Sequence, residues 1–325
     1  MRKAEFYQKR EDGSVKCLLC PNFCVIKEGE NGRCLSRGVR GDEMRLLNYA
    51  VVVAENLDPI EKKPLYHYHP GGMIYSIGSY GCNLKCRFCQ NSDLSQFEQA
   101  GKMISPDKLV QRAFNQTGNL GVAFTYNEPG IWYEYLLDCI ELLKKSGLKS
   151  VLVTNGYLCN EPFSRLCEVA DAMNIDLKAF SQSFYQNVCQ GDLETVKRNI
   201  STAVGSKTHV ELTNLVITGL NDDENEFRKL VEWVAQLSDE IPLHISRYFP
   251  RYLETAEATA PQTIARFVEI AQKKLKYVYA GNIGFSQNTF CPACKKPVVE
   301  RNGYHTRVLF ARGKCSCGHE LPIII

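Results

Sequence analysis

Two kinds of apolar pattern alternate through the middle of the chain. Short, nearly continuous apolar runs stand at Met73–Tyr80, Val122–Tyr126, Ser150–Thr154, Met173–Leu177, Val210–Ile217, Leu243–Phe249 and Tyr277–Ala280. Between them lie segments where apolar residues return every three or four positions: one begun by Ser105-Pro106-Asp107, then Ile131–Lys145, Pro162–Ala170, Glu194–Val204, Asp223–Leu237 and Pro261–Lys274. The first pattern suits strands buried on both faces and the second suits amphipathic helices. Ser105 is a good N-cap with proline at the first helical position, and Gly147 is placed to end its helix. Repeated strand–helix units predict an α/β fold with a parallel sheet and outer helices. Wound right-handed, they curl into a partial or full (β/α) TIM-like barrel.

The alternation fails at both ends of the chain, which predicts three parts. Residues 1–70 form a cysteine-rich lead-in with a possible strand at Met44–Val53 and a loop at Asp58–Pro64. Residues 71–284 form the core barrel, and 285–325 a small separate module.

Composition adds little until cysteine is counted. Hydrophobic residues make up 44% and charged residues 23%, ordinary for a soluble enzyme. Runs such as Tyr49–Ala54 are too short to span a bilayer, and Met1–Glu5 leads into polar sequence without an apolar signal. The expectation is a cytoplasmic protein without a membrane partner. A net charge of +3 is too small to mark the whole chain as a nucleic-acid binder. The last part is more basic, with Lys295, Lys296, Arg301, Arg307, Arg312 and Lys314 against Glu300 and Glu320. A solvated face explains that excess more simply than a grip on RNA.

Cysteine occurs 15 times, and eleven of these residues fall into three tight groups. In a chain of this length without an export signal, such grouping points to metal ligands rather than disulfides. Of the scattered four, Cys139, Cys159 and Cys167 read as buried apolar residues. Burial is also the simpler reading for Cys189, although its place after a core strand leaves a site role open.

The central group, Gly81-Cys82-Asn83-Leu84-Lys85-Cys86-Arg87-Phe88-Cys89, directly follows the first core run. Three thiolates on one loop can wrap a corner of a [4Fe–4S] cluster, which normally takes four cysteines. One iron is then left open for chemistry. A three-cysteine zinc site completed by histidine is the alternative, but zinc favours CxxC pairs.

This CxxxCx(aromatic)C loop, with Phe88 as its aromatic residue, resembles the signature of the radical S-adenosylmethionine (SAM) superfamily. The resemblance implies that SAM chelates the open iron and is cleaved to a radical that abstracts hydrogen from a substrate. It also implies a SAM site at the strand ends. Tyr126-Asn127-Glu128-Pro129 stands where the superfamily has a Gly-Gly-Glu turn, so Glu128 and nearby backbone would hold the SAM amino group. Asn155 ends the third strand. Asp176-Leu177-Lys178 resembles the Asp-x-Lys of glycyl-radical-enzyme activases, and His244 matches a histidine near the SAM adenosine. Leu215–Gly219 matches a segment packed against adenine. Without the cysteine loop, Glu128 would read as a helix N-terminal acid, Asp176/Lys178 as an ion pair and His244 as a core histidine.

Cys17, Cys20, Cys24 and Cys34 can satisfy one zinc ion or one auxiliary iron–sulfur cluster, and their spacing leaves the choice open. Cys291, Cys294, Cys315 and Cys317 resemble a zinc ribbon whose second knuckle is one residue short. Tyr66-His67-Tyr68-His69 reads as surface packing rather than a metal site. The full layout resembles the radical SAM component of the AmmeMemoRadiSam system, a relative of pyruvate formate-lyase activating enzyme. That resemblance implies an electron donor such as flavodoxin or ferredoxin, and makes Memo-like and AMMECR-type proteins candidate partners. Three functions follow: an activase-like enzyme acting on protein or peptide, an enzyme modifying RNA or a metabolite, and a non-catalytic iron–sulfur and zinc scaffold.

Overall fold

The structure, a computed structural model, describes residues 1–284 and 287–325. Its centre is one eight-stranded sheet: β1 (Ala54–Pro59), β2 (Met73–Gly78), β3 (Asn119–Phe124), β4 (Lys149–Thr154), β5 (Ala172–Asp176), β6 (His209–Val216), β7 (Leu243–Arg247) and β8 (Val278–Gly281). The strands lie side by side in chain order, β2 to β8 parallel and β1 antiparallel on the edge. Helices α1 (Pro106–Phe114), α2 (Tyr133–Lys145), α3 (Asn160–Val169), α4 (Leu193–Val204), α5 (Glu224–Leu237) and α6 (Pro261–Gln272) connect the parallel strands beyond β2. Among the described residues β1 and β8 do not pair, so the sheet curls into a partial barrel.

Each expected helix and strand forms, with ends moved by a few residues. Ser105 accepts from the Lys108 N–H as its helix cap. Helix α2 begins at Tyr133 because Pro129–Trp132 turns as a 3-10 segment first. Two expectations for the lead-in are corrected. The single strand at Met44–Val53 is split into Met44–Leu46 and Val51–Val52. Ala50 there has φ +65°, and the buried Asn48 side chain bonds Ser36, Ser79 and the Tyr80 carbonyl, which breaks the run. The expected loop at Asp58–Pro64 begins inside β1, whose polar sequence suits an edge strand.

Residues before β1 form two small three-stranded antiparallel sheets. After β8, Thr289–Phe290, Pro297–Asn302 and His305–Val308 make another. The start predicted for this last part, residue 285, lies outside the described residues. No described helix is long and apolar enough to cross a membrane.

The end of the barrel where the strands begin is closed by a polar plug. Glu211 on β6 is fully buried and accepts from the backbone N–H of Tyr66 (2.9 Å) and His67 (2.7 Å), while its oxygens also meet His209 (3.0 Å) and His244 (2.7 Å). The Tyr66–His69 segment therefore lies inside the structure, not on the surface: His67 is wholly buried between the Tyr279 hydroxyl and the Pro322 carbonyl. Ile324 exchanges backbone hydrogen bonds with His67 and His69. Arg301, expected on a basic face, is instead buried beside Glu61 and donates to the Tyr66 carbonyl and the Thr289 hydroxyl.

Burial pushes the His67 imidazole down to about 3, against the opposing pull of Glu211. The folded protein refuses a proton that the unfolded chain accepts below the ordinary value of 6.5, so this group removes stability as pH falls from there toward about 3. The slope is at most ~1.4 kcal/mol per pH unit. Urea unfolding of wild type and His67→Gln across that window is expected to show a shallower acid loss in the variant.

Candidate active site

All seven parallel strands point their C-terminal ends at one edge, where loops can meet without disturbing the core. The loop after β2 carries Cys82, Cys86 and Cys89, and all three line a cleft of about 1050 Å³ open to solvent. The same cleft is lined by Tyr126, Asn127 and Glu128 after β3, Asn155 after β4, and Asp176 and Lys178 at the end of β5. Phe88 is buried at its wall, with the Lys178 ammonium 5.9 Å from its ring centre.

A set of amides fixes the cysteine loop. Asn127 accepts from the Ser79 N–H and donates to the Gly81 carbonyl, each at 3.1 Å. Asn155 donates to Asn83 Oδ1 (2.9 Å) and toward Cys82 Sγ (3.5 Å), and Asn83 donates to the Tyr157 carbonyl. The Leu84 N–H also points at Cys82 Sγ, and the Ser95 hydroxyl lies 3.0 Å from Cys89 Sγ. On the far side the Lys85 and Arg87 N–H groups donate to the Cys189 and Val188 carbonyls. Cys189 itself is buried against Cys86: its hydrogen bond, with burial second, raises the Cys86 thiol well above its usual range. Burial does the same for Cys82, helped by the nearby Glu128 charge. Iron binding would have to displace these protons. Of the scattered cysteines read as core residues, Cys139 and Cys167 are buried, whereas Cys159 is half-buried ahead of α3.

Glu128 is the N-terminal acid that the sequence allowed, and it also lines the cleft. It caps the 3-10 turn by accepting from the Gly130 N–H (2.7 Å), and it accepts from the Thr154 hydroxyl (2.8 Å) and the Asn155 N–H (2.7 Å) while facing the cleft. Burial pushes its carboxyl up to about 7 despite these donors. Tyr126 has φ +70°, the left-handed conformation that glycine adopts freely. Its hydroxyl donates to Asp58 (2.8 Å), which also pairs with Lys63. Lys178 pairs with Asp176 at 2.8 Å. Burial disfavours its charge, but Asp176 and the Cys86 and Cys189 sulfurs raise its pKa well above the usual lysine value.

His244 is the exception and stands corrected as a cleft residue. The buried Glu211 on the neighbouring strand captures its imidazole, which also stacks on Tyr279 beneath the cleft floor. Ser246, two residues further up β7, lines the cleft instead. Thr213 and Leu215 on β6 and Asn282 after β8 line it too. Strand parity could have found Ser246, because side chains two apart share a face and the later one lies nearer the strand end. Asn282 carried no sequence signal.

The four C-terminal thiols lie within 4.8 Å of one another, with Cys291–Cys317 at 3.7 Å and Cys294–Cys315 at 3.6 Å, so they could hold a metal. The short knuckle is accommodated by Gly318 at φ +90°, which turns the chain back so that its N–H reaches the Cys315 carbonyl. Cys17, Cys20, Cys24 and Cys34 line a separate cavity.

A parallel partial barrel with a three-cysteine loop over its strand ends defines the class. Residues 76–234 match the radical SAM superfamily, and the chain belongs to it. Over its full length it is 35% identical to the uncharacterized protein MJ0808 of Methanocaldococcus jannaschii, covering 100% of both chains. The pyruvate formate-lyase 1-activating enzyme of Escherichia coli is 24% identical over 166 residues, 49% of this chain and 67% of that enzyme. Among solved structures, Streptococcus suis SuiB bound to precursor peptide SuiA shares the fold, with TM-score 0.50 at 14% identity over 69% of this chain and 51% of that one. Membership implies a [4Fe–4S] cluster, SAM and SAM cleavage at the cluster.

Asn155 donates to both Cys82 and the loop around it. Asn155→Ala is expected to weaken iron retention about 10-fold, read as iron per chain after anaerobic gel filtration.

Proposed function

We propose that Cys82, Cys86 and Cys89 hold the [4Fe–4S] cluster, and that the enzyme abstracts a hydrogen atom from a protein or peptide brought to this cleft. The carrying observation is that three thiols, a buried glutamate and an Asp176–Lys178 pair converge on one cleft at the strand ends. The thiols fit the group. Among the described residues no three of their sulfurs gather within 4.8 Å, as a single ion would require, and Leu84 N–H, Asn155 and Ser95 offer hydrogen bonds to sulfur. In this superfamily the reduced cluster supplies the electron that splits SAM into methionine and a 5′-deoxyadenosyl radical.

The protein's own part is holding and shielding. Glu128, its carboxylate oriented by three donors, accepts from the SAM amino group. Lys178 answers the SAM carboxylate, and Asp176 holds that ammonium in place. Phe88 and Leu215 give apolar walls, and Ser246, paired with Leu215 across β6 and β7, offers a polar contact together with Asn282.

The rim favours a protein or peptide substrate. Phe97, Phe249, Tyr252 and Leu253 are exposed apolar side chains gathered beside the cysteine loop. Gln90 holds the Phe249 carbonyl, the Leu253 N–H donates to the Arg87 carbonyl, and Phe97 meets Tyr252 edge-on. An apolar patch at an active-site mouth suits a polypeptide better than a nucleotide. The activase-like reading, the AmmeMemoRadiSam assignment, a flavodoxin or ferredoxin as donor, and zinc at the C-terminal thiols all belong to this proposal.

Anaerobic protein reconstituted with iron and sulfide and reduced with dithionite is expected to convert SAM to 5′-deoxyadenosine. The Cys82→Ala/Cys86→Ala/Cys89→Ala variant should yield none. Product from that variant, or none from wild type holding a reducible cluster and bound SAM with peptide substrates supplied, would sink the reading. Glu128→Gln is expected to weaken SAM binding roughly 10-fold by calorimetry. Phe249→Ala/Tyr252→Ala should raise the KM for peptide substrates while leaving substrate-free SAM cleavage unchanged. Acceleration by RNA, with no response to peptides, would refute the substrate class.

A further inference from the structure

Cys17, Cys20, Cys24 and Cys34 come from neighbouring segments of the lead-in and stand around one small space, bordered by Ile26, Arg37 and Ile131. We infer that these four thiolates hold a second [4Fe–4S] cluster rather than a structural zinc ion.

Spacing separates the two metals. Zinc bound tetrahedrally at about 2.3 Å brings its sulfurs to within about 3.8 Å of one another. The C-terminal thiols meet that demand, at 3.6 and 3.7 Å for the closest pairs and with all four inside 4.8 Å. No three of the N-terminal sulfurs, among the described residues, satisfy even the wider limit. The Cys82/Cys86/Cys89 loop fails it in the same way. Cysteines that bind separate irons of one cube must stand further apart than those sharing one ion. One chain thus carries both geometries, and the N-terminal group sides with the cluster loop.

The lining agrees. Arg37 is 1% exposed, borders the space, and keeps its Nε buried without a partner although its other nitrogens reach Glu134 and the Glu5 carbonyl. A buried N–H without an acceptor is costly, and an anionic sulfur set supplies one. The site also abuts the active loop. Gly81, next to Cys82, sits so close to the Cys34 carbonyl that an added Cβ would lie 2.1 Å from it, and Asn22 donates to the Asn83 carbonyl at 2.7 Å. The two cysteine loops are thus in direct contact.

The test uses the full chain, reconstituted anaerobically with iron and sulfide, in three forms. Wild type is expected to bind about eight iron atoms, and Cys82→Ala/Cys86→Ala/Cys89→Ala to keep about four, with about four sulfides and the EPR signal of a reduced cube. Cys20→Ala/Cys24→Ala should fall to about four while retaining 5′-deoxyadenosine formation above background. If the central triplet held no cluster, wild type and the triplet variant would both hold about four, which separates failure of the functional reading from failure of this one. A triplet variant without iron, whether it carries one or two zinc ions, would overturn the inference. So would unchanged iron in Cys20→Ala/Cys24→Ala.

Discussion

A single buried carboxylate decides which end of this barrel can do chemistry. Glu211 sits on a central strand with no solvent contact, and burying a charge there is unfavourable unless every oxygen finds donors. It finds two backbone N–H groups from the Tyr66–His67 segment and two imidazoles. Hydrogen bonds from His209 and His244 hold its pKa well below the usual carboxylate range, although burial pushes the other way. That demand draws the segment before β2 under the barrel and takes His244 away from the cleft. With the strand-start end filled, the strand-finish end is left for ligands.

The open end is built on the opposite logic. There the amides of Asn83, Asn127 and Asn155 bond mainly to backbone and to each other, shaping a loop whose thiols keep their sulfurs toward the cleft. Amides can do this without adding charge beside a site that must accommodate iron, sulfide and thiolate together. Charge is kept to Glu128 and the Asp176–Lys178 pair, each held by its own partners.

Much of this was legible because its physics is local. Parallel strands buried on both faces announce themselves as apolar runs, and a cysteine triplet needs no tertiary information to read as a cluster loop. Where sequence reading went astray, the deciding partner was distant in the chain. His244 and Ser246 share a strand face, and only Glu211 on the next strand settles which one is spared for the cleft. Edge strand β1 escaped notice because its Ala-Glu-Asn-Leu-Asp-Pro sequence is largely polar and lacks the continuous run of its neighbours. Arg301 looked like one more surface cation until Tyr66, more than two hundred residues earlier, enclosed it. Tyr126 departs from the glycine turn of the superfamily, yet the backbone keeps the glycine-like angle and the ring supplies an anchor to Asp58.

The tie between Ile324 and the His67–His69 segment has a consequence for how the chain is made. Those backbone bonds, with the Arg301 contacts beside them, join residues on opposite sides of the whole barrel in sequence. A ribosome-bound chain can pair its strands as each β–α unit emerges, but the floor stays unsealed until residue 324 has left the exit tunnel. Until then His67 lacks its Pro322 partner and the Tyr66–His69 segment lacks its Ile324 bonds, leaving Glu211 to hold that segment without its final seal.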